Sequence, residues 1–181
     1  MVEELIREIR SEFPDFEIVQ KQDSGLMKFL RVFLLIVTFG AMRNFMTDVI
    51  TTLGNTVYVP AGWGSKPEIG RYEVLRHERV HMRQRRRYGR VLYSFLYVFP
   101  FFPLFLAYWR AKLEMEAYAE SILVIAEHMG PDHVRTPEFR DRMASRFWTA
   151  SYAWMWLHKP TVYRWVDKAI ADAVHAVSLN K

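Results

Sequence analysis

The residues best placed to do chemistry are His77-Glu78-Arg79-Val80-His81. Histidines four apart share one face of an α-helix, so both imidazoles can reach a single metal ion. A glutamate beside the first histidine projects toward a water on that ion, where it serves as a general base. This is the HExxH zinc signature, and a catalytic zinc needs a third protein ligand and an open fourth position. The 181-residue chain has no cysteine. Thiolate metal sites, disulfides and cysteine nucleophiles are therefore excluded, and any metal must sit on His, Asp or Glu.

The elongated metzincin motif requires a glycine three residues after His81 and a histidine six after it, and those positions hold Gln84 and Arg87. Some 33 residues after His81 comes Glu114-Met115-Glu116-Ala117-Tyr118-Ala119-Glu120, inside a strong helix-forming stretch. With these two motifs the sequence resembles the gluzincins, metallopeptidases that combine HExxH with a Glu from a later helix. Its E-x-E-A-Y segment is similar to that of small minigluzincin-like proteins. The resemblance covers roughly residues 48–129 and implies one Zn2+ per chain, a peptide or protein substrate, and Glu78 as the base that activates a metal-bound water.

Two registers supply the third ligand. Glu114 with Ala117 and Tyr118 resembles an E-x-x-A-D pattern, with Tyr118 where Asp is expected. Glu116 resembles the start of an E-A-x-x-D pattern in which Glu120 supplies the acid, as a supporting residue outside the ligand set. The two glutamates differ by about 200° around a helix and cannot face one ion together. The minigluzincin likeness favours Glu114, with Glu116 as the alternative. Gluzincins usually add a Tyr or His that donates to the oxyanion, for which Tyr118, His128, His133, Tyr152 and His158 are candidates. They also bind substrate backbone on an edge strand ahead of the metal helix, and Val57, Tyr58 and Val59 are the corresponding residues.

The elements that must position these groups follow from periodicity. Ile6, Ile9 and Phe13 recur at helical spacing among charges and predict a short amphipathic helix, and the alternation from Asp15 to Gln20 predicts a strand. Residues 29–38 form an apolar run about half as long as a membrane span, read as a buried strand or core helix. Asp48 to Pro60 predicts a hairpin turning at Gly54-Asn55. A helix runs from Pro67 to about Tyr88-Gly89, with its arginines toward the end that the dipole favours. Val91 to Trp109, interrupted by Pro100 and Pro103, predicts a helical hairpin that returns the glutamate helix to the HExxH helix. Its expected place is the core, with a membrane interface as the alternative. Pro137 and Pro160 each predict a helix start, the second with Val162, Trp165, Val166, Ile170 and Val174 on one face.

Size and composition fit one α+β, mainly α domain over residues 1–181, with a small antiparallel sheet in the N-terminal third, the helical hairpin and a C-terminal helical region. The net charge of +5 is too mild to demand an acidic partner, and nucleic acid is not expected. Arg83, Arg85, Arg86, Arg87 and Arg90 predict a solvated helix end, with peripheral membrane contact through residues 83–109 as the other use. Trp148, Tyr152, Trp154 and Trp156 predict core. An acidic, amphipathic N-terminus without the basic start of a secretory signal predicts a cytoplasmic protein, at most peripheral at a membrane. The competing function is a non-catalytic metal-binding structural or membrane-surface protein, such as a component of a phage or membrane-associated assembly.

Overall fold

The computed structural model describes residues 1–37, 40, 42–98, 105–148 and 158–179. The elements are α1 (Val2–Glu12), β1 (Glu17–Gln20), α2 (Gly25–Val37), β2 (Thr51–Leu53), β3 (Thr56–Val59), α3 (Glu68–Tyr88), α4 (Arg90–Val98), α5 (Phe105–Met129), α6 (Pro131–Val134), α7 (Pro137–Ser145) and α8 (Lys159–Leu179). The chain is α+β and mainly α. Its contacts cluster into two units, Met1–Glu78 and Arg79–Lys181, and the boundary falls inside the continuous helix α3.

In the first unit Val2, Leu5 and Ile9 recur at helical spacing and are buried, as are Phe13 and Phe16 just beyond α1. Gly54, at φ +71°, makes the two-residue turn that lets β2 and β3 pair antiparallel. The predicted antiparallel sheet is in fact mixed. β1 runs parallel to β3, in register Ile18 to Val57 and Gln20 to Val59, and the strand order is β1-β3-β2. Asn55 fixes this third strand by accepting from the Glu17 N–H at 3.2 Å and donating its amide to Asp15 at 2.7 Å.

Residues 29–38 are no buried strand. Those up to Val37 belong to α2, whose Leu26, Phe29, Val32, Phe33 and Ile36 are exposed while Met27 is buried. Apolar composition left strand and helix both open and could not say what covers the apolar face.

In the second unit the spine is α5. Ala111, Met115, Tyr118, Ile122 and Ala126 form one buried stripe, packed with Phe139, Met143 and Phe147 and with the inner face of α8. That α8 face contains Val162, Val166 and Ile170 as predicted, with Trp165 and Val174 partly buried against it. Each fully buried aliphatic side chain contributes about 1.5–3 kcal/mol, so this stripe anchors the unit. Pro137 opens α7 behind Thr136, whose hydroxyl accepts the Phe139 N–H at 3.3 Å. Trp148 packs at the edge of the same core, whereas Tyr152, Trp154 and Trp156 lie outside the described residues.

Gly89, at φ +78°, ends α3 and starts α4, as only glycine does without strain. The predicted helical pair is therefore α4 and α5, with Pro100 and Pro103 outside the described residues. Its expected burial is not found along α4. Val91, Leu92 and Phe95 are exposed, as are Tyr108 and Trp109 at the start of α5. Among the described residues no helix is long and apolar enough to cross a membrane.

One buried charge in the first unit offers a test. The Lys21 ammonium is fully buried, donates to the Phe45 carbonyl at 2.7 Å and lies 3.6 Å from the centre of the Phe45 ring. Burial lowers its pKa from 10.5 to about 8, with the Glu78 carboxylate opposing the shift. Between those values the unfolded chain holds the proton that the folded one has released, so stability rises with pH across that window. Denaturant titrations of the wild type and Lys21→Met should show the wild type gaining on the variant as pH climbs from about 8 toward 10.5. A pH-independent difference would remove Lys21 as the titrating group.

Candidate metal centre

His77 and His81 lie one turn apart on α3, and both are buried. Glu114 lies on α5 and is 1% exposed. Each residue presents one ligand atom to a common space, and these atoms all lie within 4.8 Å of one another. The His81 Nε2 to Glu114 Oε2 distance is 3.8 Å, too long for a hydrogen bond. Two ligands at about 2.1 Å from one tetrahedral ion stand about 3.4 Å apart, so the observed spacing is compatible with a shared metal. Two imidazoles and a carboxylate are a borderline donor set suited to such an ion. The buried triad could hold a metal ion.

The neighbours orient these ligands. Gln84, one turn beyond His81 and buried, places its Oε1 2.9 Å from His81 Nδ1. Its Nε2 donates to the Leu113 carbonyl at 2.9 Å and to Glu116 at 3.0 Å, which leaves Oε1 to accept. The Nδ1 nitrogen of His81 therefore donates to Gln84, which turns Nε2 toward Glu114 as the candidate ligand atom. Tyr97 of α4 donates its hydroxyl to Glu114 Oε1 in a short hydrogen bond, and its ring meets His81 edge-on at 5.6 Å. Burial, then the Glu114 charge, pushes the Tyr97 pKa well above 10, so the phenol stays a donor. Arg110 lies over the same ring at 5.1 Å.

Glu78 is buried beside His77 and is not one of the three converging groups. Thr52 on β2 donates its hydroxyl to Glu78 Oε2 at 2.7 Å and so fixes one carboxylate oxygen.

Of the two registers, the structure brings Glu114 to the histidines. Glu116 is half-buried on another side of α5, accepts from Gln84 and lies 3.8 Å from Arg87. Glu120 is not one of the converging groups; it lines the groove between α5 and α8 with Lys168 and Asp172. Tyr118 is a core residue, its ring against Phe147 and its hydroxyl receiving Arg146 at 3.4 Å. His128 and His158 are exposed and His133 packs on Phe139, while Tyr152 lies outside the described residues. The Val57–Val59 expectation also fails. β3 is the middle strand, with ladders on both sides, so its backbone has no open edge for a substrate, and Val57 and Val59 point into the core.

Gln84, Tyr97 and Thr52 were not singled out by the sequence. Gln84 carried a readable signal, a neutral polar residue three after a ligand histidine and on its face of the helix. Tyr97 and Thr52 reach their partners through tertiary contacts with no local pattern. No protein-family model, curated protein or solved structure matches the chain.

Removing either histidine or Glu114 as alanine should abolish tight binding of a divalent metal in an equilibrium titration, whereas Glu116→Ala should stay near the wild type. The variants Gln84→Met and Tyr97→Phe keep all three ligands and should weaken binding by about 10–100-fold. Metal affinity that ignores both substitutions would show that the surrounding hydrogen bonds do not orient the ligands.

Proposed function

We propose that the chain is a zinc-dependent peptidase of gluzincin type, with His77, His81 and Glu114 as ligands and Glu78 as general base. The observation that carries the reading is Glu78 itself: buried next to a ligand histidine, outside the ligand set, and fixed through one oxygen by Thr52. A site built only to hold a metal has no use for such a carboxylate. Bound zinc would lower the pKa of a water and polarise a scissile carbonyl. With the metal bound, Glu78 would take the proton of the attacking water and pass it to the leaving amine, and the Thr52 bond limits the carboxylate's rotation for that role. Gln84 and Tyr97 hold His81 and Glu114 in place throughout. Peptide or protein is the substrate class.

The competing reading, a closed non-catalytic metal site, draws on the burial of all three ligands. It predicts metal without turnover. Quenched-peptide libraries assayed with the zinc-loaded protein, with and without chelator, distinguish the two. Glu78→Gln should retain metal and fold while losing several orders of magnitude in rate. Undiminished turnover in Glu78→Gln would remove the base from the mechanism, and chelator-insensitive turnover would remove the metal.

A further inference from the structure

Leu26, Phe29, Val32, Phe33 and Ile36 occupy a single arc of about 120° around α2, at 100° per residue. All five are exposed, Phe29 to 67% and Ile36 to 70%. The opposite side of the helix carries the buried Met27. α2 contains no acidic residue, and its two charged residues are exposed cations, Lys28 at the edge of the apolar arc and Arg31 on the Met27 side. The same chemistry recurs on α4, taken by itself. Val91, 84% exposed, and Leu92 share one face, Arg90 precedes them, and that helix too lacks any acid. Exposed large apolar side chains gathered on one face mark a surface that something covers.

We propose that this protein docks on anionic membrane surfaces through the exposed apolar face of α2, lying in the interface plane, and that the face of α4 binds such a surface in the same way in its own unit. Charge selects the occupant. Helices whose exposed apolar faces carry no acid and whose charged residues are all cations, Lys28 and Arg31 on α2 and Arg90 on α4, complement a leaflet whose hydrocarbon lies beneath acidic headgroups. Length selects the mode. The 13 residues of α2 extend about 20 Å and the 9 of α4 less, against a hydrocarbon core of about 30 Å, so neither helix spans it. Docking of this kind does not depend on peptidase activity.

Flotation of the full chain with vesicles of mixed phosphatidylglycerol and phosphatidylcholine tests it, with circular dichroism as the control for folding. The wild type should float with these vesicles and do so less with pure phosphatidylcholine or at high salt. The double variants Phe29→Ser/Ile36→Ser and Val91→Ser/Leu92→Ser change only exposed side chains and should each weaken binding by at least about tenfold with an unchanged spectrum. Wild-type protein that stays at the bottom of the gradient with the mixed vesicles would overturn the proposal. So would double variants that float as well as the wild type. An oligomer that forms without lipid, that the same variants dissociate and that does not float would assign the faces to a second copy of the chain instead.

Discussion

A carboxylate buried to 1% exposure cannot exist as a lone charge, and the candidate metal centre is organised around that constraint. Glu114 sits on α5, the spine of its unit, where bulk water does not solvate it. Tyr97 supplies a neutral hydrogen bond to one oxygen, and the Nε2 edge of His81 faces the other. Neither of these two groups is a permanent cation. A divalent ion between carboxylate and imidazole places positive charge where it offsets the burial most directly, because Coulomb attraction is strongest at short range and low dielectric.

That constraint passes outward through shared donors. Gln84 can accept from His81 only because the Leu113 carbonyl and Glu116 occupy its amide hydrogens, and Glu116 in turn lies near Arg87. The glutamate that does not face the triad thus only supplements the Leu113 carbonyl, which holds the Gln84 amide without it. The E-x-E spacing places one carboxylate on the buried side of α5 and the other at the rim.

Local patterns made part of this legible. The four-residue spacing of His77 and His81 and the adjacent Glu78 were readable, because helical periodicity converts spacing directly into a shared face, whereas the preference for Glu114 over Glu116 rested on the resemblance to minigluzincin-like proteins. The parallel pairing of β1 with β3 was not, since it joins Ile18 to Val57 across a helix and nothing local encodes it. Nor was the middle position of β3, which turned a presumed edge into a core strand. Tyr97 and Thr52 act on partners 17 and 26 residues away. Their roles are set by packing, and single-residue identity gives no sign of it.

Phe29, Ile36, Val91 and Leu92, described residues of the two apolar runs, failed as core for an instructive reason. Hydrophobic periodicity measures the width of an apolar face, and that width is the same whether protein or lipid covers it. On α4 the two roles are divided by angle: Val91 and Leu92 stand on one side, and Tyr97 lies on the other with its hydroxyl on Glu114. A short helix with a solvent-facing apolar side and a ligand-holding polar tip must keep its orientation, because a rotation that buried Val91 would withdraw Tyr97 from the carboxylate. The cost of exposing that apolar side is therefore tied to the geometry of the metal centre.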